Sequence, residues 1–169
     1  MHYSRLGNSG LIVSRLAFGA MTFGKGQGPF AEVSKVDAAL ADQMIGKSLD
    51  AGINHFNTAN GYTGGQSEQM LGKALGAKRK DVVISTKVGF RTDPAMLHQG
   101  LSRQNILAEC DNSLRRLGTD YIDLWPKTGP DGAETNVPYS NTQLRFGASG
   151  DRIPAAWNFF FGLDAGDCI

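Results

Sequence analysis

Two short stretches carry residues that could do acid–base chemistry: 55-HFNTANGY-62 and 85-STKVG-89. In the first, an apolar strand stops in Asn57, Thr58, Asn60 and Tyr62; in the second it stops in Lys87. A free phenol has a pKa of roughly 10, and a neighbouring ammonium lowers it by favouring the anion. A Tyr62–Lys87 pair could therefore protonate a carbonyl oxygen as hydride arrives at the carbon, which is general acid catalysis. A carboxylate beside the lysine would keep it charged and oriented, and Asn57 stands where that carboxylate would serve. Each residue also has an ordinary use. A strand-end lysine is solvated, a tyrosine in a Gly-rich loop packs, and an asparagine satisfies loop backbone groups. The fold decides whether the three meet.

The elements that would position them are legible from periodicity. HYSRL and LIVSR flank Gly7-Asn8-Ser9-Gly10 and predict a β-hairpin over residues 2–14. Leu16 to Gly19 reads as a first buried strand, followed by a Gly-rich loop. Asp37 is the expected N-cap of a helix with Leu40, Ala41, Met44, Ile45, Ser48 and Leu49 inward, stopped by Gly52. A strand over Ile53 to Phe56 precedes a second helix, capped by Ser67, with Met70, Leu71, Ala74 and Leu75 inward and Gly76 at its end. Asp81 to Thr86 is a strand with the continuous apolar run of a sheet buried on both faces. Ser102 caps a third helix with Ile106, Leu107, Cys110, Leu114 and Leu117 inward, ended by Gly118. Tyr121 to Trp125 is the fourth strand of the series, with Asp120 and Asp123 as capping or loop-anchoring groups. Alternating strands and helices predict right-handed βαβ units and a parallel sheet, either doubly wound or closed as a (β/α)8 barrel. No GxGxxG follows the first strand, which weighs against a Rossmann domain. In either architecture the working residues gather at the carboxyl ends of the strands, where Asn57, Tyr62 and Lys87 fall.

Composition narrows the function classes. The chain has 169 residues, 41% hydrophobic and 20% charged, which suits a globular domain with a real core. A net charge of +1 makes no electrostatic case for nucleic acid or an anionic membrane. No apolar run is long enough to span a bilayer, and the N-terminus has no signal-peptide pattern. Cys110 and Cys168 match no metal spacing and read as reduced thiols, so a cytoplasmic location is expected.

RLGNSGLIVSRLAFGAMTFG, DAGINHFNTANGY, QSEQMLGKAL, DVVISTKVG and SLRRLGTDYIDLW together resemble the N-terminal half of the aldo/keto reductases, almost continuously over residues 1–125. The resemblance implies a (β/α)8 TIM barrel whose bottom is closed by the N-terminal hairpin. It also implies NADPH-dependent reduction of a small carbonyl substrate by an Asp, Tyr, Lys and His tetrad. Carried over residue by residue, Tyr62 matches the acid and Lys87 its partner. Asn57 stands in place of the aspartate, and Thr128 in place of the histidine. Gly19, Met21 and Asn57 fall where the family contacts its cofactor.

A complete barrel needs about 250 residues, so a chain of 169 cannot close one, and residues 1–125 correspond to about half of it. Residues 126–169 lose the helical period and are read as a divergent, irregular tail, through an internal deletion or a change of reading frame near Trp125. A second reading stays open beside the enzyme: a catalytically inactive half-barrel that acts by self-association through its sheet edges or by binding a partner.

Overall fold

The structure is a computed structural model that describes residues 1–125 except 8, 27–30, 93 and 95–98. Thr128 and the tail from residue 126 lie outside the described residues. The hairpin forms as the turn residues dictate. Strands β1 (Tyr3–Arg5) and β2 (Ile12–Ser14) pair antiparallel with Tyr3 opposite Ser14. Gly7 takes a positive φ of 54°, and Leu6 N–H bonds to Leu11 O at 2.9 Å to close the loop.

Strands β3 (Phe18–Gly19), β4 (His55–Asn57) and β5 (Val83–Ser85) form a parallel sheet in that order. Helices α1 (Ala38–Asp50), α2 (Gln66–Leu75) and α3 (Arg103–Leu117) alternate with them. The fourth strand of the series is present as a single parallel bridge between Leu124 and Ser85, shorter than the run Tyr121 to Trp125 expected from sequence. Asp123 explains the brevity. Its carboxylate accepts from the Ile84 N–H at 2.9 Å and from Arg79 at 2.8 Å, taking a position the strand backbone would otherwise fill. It is the loop anchor expected.

Phe56 and Ile84 point from the sheet into the helix layer, where they join Ile45, Leu71, Ile106, Cys110, Leu114 and Leu117 in one core. Burial of the Cys110 thiol pushes its pKa up, as befits a packing residue. Because side chains alternate along a strand, His55 and Asn57 point to the other face. One face of the sheet is thus a core, and the other carries polar groups.

Two helix details correct the sequence reading. Leu40 was expected inward but is 44% exposed, because the buried stripe centres on Ala41, Ile45 and Ser48 and leaves Leu40 on its flank. Ser67 was expected to cap α2, but the N-cap is Gly65 at φ 89° and Ser67 lies inside the helix. The Ser67 hydroxyl donates to Ala20 O at 2.6 Å and so accepts from Thr58 Oγ1 at 2.8 Å. It ties the ends of β3 and β4 together instead of starting a helix. The caps Asp37 and Ser102 and the stops Gly76 and Gly118 stand as expected, with Asp37 Oδ1 accepting from Leu40 N–H at 2.9 Å.

Asn54, just before β4, locks the hairpin under the sheet. Its Oδ1 accepts from Ser14 N–H at 2.7 Å, and its Nδ2 donates to Ile12 O at 3.0 Å. The hairpin therefore sits at the amino ends of the strands, and the opposite edge is left for chemistry.

Candidate active site

At the carboxyl ends of β4 and β5 three predicted residues converge. Lys87 Nζ donates to Asn57 Oδ1 at 2.6 Å, to Thr58 O at 3.0 Å and to Tyr62 OH at 3.4 Å. The lysine is only 7% exposed, so it is a built part of the site and not a solvated strand end. Its ammonium also lies 5.1 Å from the centre of the Tyr62 ring. Register explains the convergence. Asn57 pairs with Ser85, so Lys87, two residues on, lies over the end of β4. The ladder continues past both strands through Thr58 N–H to Ser85 O at 2.8 Å and Asn60 N–H to Lys87 O at 3.1 Å.

Tyr62 is held by its neighbours. Gly61 lets the loop lie on Phe90, since a Cβ there would stand 2.8 Å from the Phe90 Cβ. Thr63 adopts φ 50°, a left-handed conformation that is costly for a β-branched residue. Two hydrogen bonds compensate: Thr63 Oγ1 donates to Phe23 O at 3.0 Å, and Ser34 Oγ lies 2.6 Å from it. The turn that presents the phenol is therefore pinned to the loop after β3.

Beneath the site lies a buried polar hub that the sequence reading did not single out. Arg116 on α3 joins Glu68 of α2 at 2.5 Å and Glu109 of α3 at 3.3 Å, and both glutamate side chains are buried. Thr86, beside Lys87, donates to Glu68, while Asn60, two residues before Tyr62, donates to Glu109 at 2.8 Å. Thr92 and Asn112 donate to the other Glu109 oxygen. Burial opposes ionisation of Glu109, but the hydrogen bonds from Asn60 and Asn112, the Arg116 charge and the Thr92 hydroxyl outweigh it and hold the carboxyl below its ordinary range. Arg116 crosses α2 at Gly65, where a Cβ would stand 2.6 Å from its Cδ. A signal was present in the sequence. Glu68 shares a helix stripe with Leu71 and Leu75, and Glu109 follows Ile106 by three residues, so acids sit where apolar residues are expected.

Gly19 ends β3 opposite Asn57, and a Cβ on it would meet nothing within 4 Å. Met21, just beyond, is 38% exposed. Space therefore stands open at this edge. A parallel sheet closed at one end by a hairpin, with a lysine bonded to residue 57 and a tyrosine at the other, is the arrangement that the sequence resemblance implied.

Comparison with known proteins bears on the family and the fold. The aldo/keto reductase family matches residues 15–149. This chain belongs to the aldo/keto reductase family. An aldo/keto reductase's likeness here runs past residue 125, where the helical period of the sequence ends. Among solved structures, the holo form of aldo-keto reductase AKR11C1 from Bacillus halodurans superposes with a TM-score of 0.62 at 37% identity, over 75% of this chain and 40% of that one. The aldo-keto reductase YhdN of Bacillus subtilis (strain 168) is 34% identical, over 78% of this chain and 39% of its own. A probable voltage-gated potassium channel subunit beta of Arabidopsis thaliana is 36% identical over 96% of this chain and 46% of its own. The chain spans less than half the length of these relatives. The fold is thus that of an aldo/keto reductase (β/α)8 barrel, present over about half its extent, and among the described residues the sheet is not closed. No described helix is long and apolar enough to cross a membrane.

Proposed function

We propose that this chain carries the acid half of an NADPH-dependent carbonyl reductase site, in which Tyr62 protonates the oxygen of a small aldehyde or ketone. One observation supports this reading above the rest: Lys87 Nζ reaches both Asn57 Oδ1 and Tyr62 OH from a buried position. Hydride is what NADPH would supply to the carbonyl carbon when bound. Gly19, Met21 and Asn57 border the open edge and fit such a group, Gly19 because no side chain fills the space beside it. The chain's own part is the proton. As the carbonyl oxygen gains charge, the Tyr62 O–H bond breaks toward it, and the Lys87 ammonium stabilises the phenolate left behind. Solvent then returns a proton to Tyr62. Asn57 accepts a hydrogen bond from Lys87 and so orients it, but brings no charge to hold it, unlike a carboxylate. Thr128 in place of an imidazole leaves the carbonyl to be oriented by other groups. A cytoplasmic location suits a site that uses a nicotinamide cofactor and a core with a free Cys110.

Two measurements test this. Titration with NADPH should change the nicotinamide fluorescence, and no change would refute cofactor binding. Tyr62→Phe should lower the rate of carbonyl reduction by about 10²- to 10⁴-fold, the usual worth of a positioned general acid. An unaltered rate would remove Tyr62 from the mechanism.

The exposed apolar side chains around the hairpin favour a second reading. Tyr3, Ile12 and Leu16 are 50%, 59% and 62% exposed, and β3 has β4 as its paired neighbour on one side. Such a surface beside a sheet edge suits self-association. Size-exclusion chromatography separates the two readings, because a monomer that binds NADPH would leave only the first.

A further inference from the structure

The polar face of the sheet carries two groups that carbonyl reduction leaves unused, His55 and Ser85. In the parallel register Asn57 lies opposite Ser85, and His55 stands one pleat earlier on the same face. An ammonium can only donate, so the amide oxygen of Asn57 must be the atom that faces Lys87, at 2.6 Å. The amide nitrogen then turns to Ser85 Oγ, 2.8 Å away. Ser85 Oγ accepts there and has one hydrogen of its own to place. His55 Nε2 lies 3.1 Å from it, and the serine is shielded from water at 2% exposure while the imidazole is part-buried. That hydrogen is satisfied when Nε2 carries none.

We infer that Ser85 and His55 are positioning residues that hold the Asn57 carboxamide with its oxygen on Lys87. The hydrogen bonds run in one direction, Lys87 to Asn57 to Ser85 to His55, and end on a neutral imidazole protonated at Nδ1. Burial keeps this ring neutral by lowering its pKa. The Asp123 charge opposes that, and the Lys87 charge adds to it. The inference rests on the reading of Lys87 as part of the reducing site, but its geometry is specific to an amide at residue 57. A carboxylate there has no hydrogen to give, so Ser85 would donate to it and offer only lone pairs to His55. The imidazole would then carry its proton on Nε2.

The experiment is nitrogen-15 NMR of the histidine rings in the full chain at neutral pH, with His55→Gln to assign the His55 signals. The wild type should show the Nδ1–H tautomer. Asn57→Asp should move the proton to Nε2, or charge the ring. Ser85→Ala should abolish the tautomer preference and shift the Asn57 side-chain amide resonances, while Ser85→Thr, which keeps the hydroxyl, should retain both. An Nε2–H tautomer in the wild type would overturn the inference, as would an unchanged tautomer in Ser85→Ala or in Asn57→Asp. The readout needs neither cofactor nor turnover, so its failure leaves carbonyl reduction standing, and a failed NADPH titration leaves the hydrogen-bond chain standing.

Discussion

Gly72→Ala should destabilise this protein by about 3 kcal/mol, the upper end of the cost of overpacking a well-filled contact. A Cβ at Gly72 would lie 2.1 Å from Leu117 O and 2.6 Å from Leu117 C, both backbone atoms of the last turn of α3. No side chain can rotate aside to make room. The last turn cannot retreat either, because Gly118 at φ 64° reverses the chain there and Thr119 N–H closes onto Leu114 O at 3.1 Å. Separating α2 from α3 would uncover Leu71, Leu114 and Leu117, which are buried between them and the sheet. Urea unfolding of the variant beside wild type measures the loss. Gly46→Ala is the control: it lies in α1 with nothing within 4 Å of its Cβ and should stabilise by about 0.5–1 kcal/mol. Equal effects of the two substitutions would show that helix propensity, and not the close approach, governs both.

Removing Arg116 should be as damaging through charge. Arg116→Met leaves Glu68 and Glu109 buried without their guanidinium, a loss of about 3–5 kcal/mol for a broken buried ion pair. The loss should depend on pH. In the wild type Glu109 is held below its ordinary pKa of 4.5, so it stabilises the fold fully above that value, and the contribution vanishes as pH falls through its folded pKa. Without Arg116 the folded pKa rises toward or past the ordinary value, so the gap between variant and wild type should be widest at neutral pH and narrow in acid. Thermal unfolding from pH 3 to pH 7 would read this directly. A gap that stays constant with pH would mean that lost packing of the arginine stem accounts for the damage.

The hub also shows where sequence reasoning runs short. Asp37, Ser102, Gly76 and Gly118 were read correctly because a cap needs only the residues within one turn of it. Ser67 was misread because nothing local distinguishes a capping hydroxyl from one that bonds to Ala20, 47 residues away. Leu40 was placed inward by counting turns, yet the core's position decides which edge of a stripe is covered. Glu68 and Glu109 were passed over because an acid on an apolar stripe has meaning only when its partner is known. That partner is Arg116, 48 residues beyond Glu68. Asn57, Tyr62 and Lys87 were found because strand ends are legible and the family motifs surround them.

By itself, then, the sequence determined the order of the elements, the hairpin, the strand ends that carry polar residues and the resemblance to a reductase lineage. All of these rest on spacings of a few residues or on motifs read in line. Only the tertiary structure decided that Lys87 meets Asn57 and Tyr62, which lie 30 and 25 residues before it. Only it decided that the Asn57 amide turns its nitrogen to Ser85 and that two buried acids share one arginine. The physical reason is register. A shift of one residue between β4 and β5 would send Asn57 and Ser85 to opposite faces, and no local pattern records which register the packed helices select.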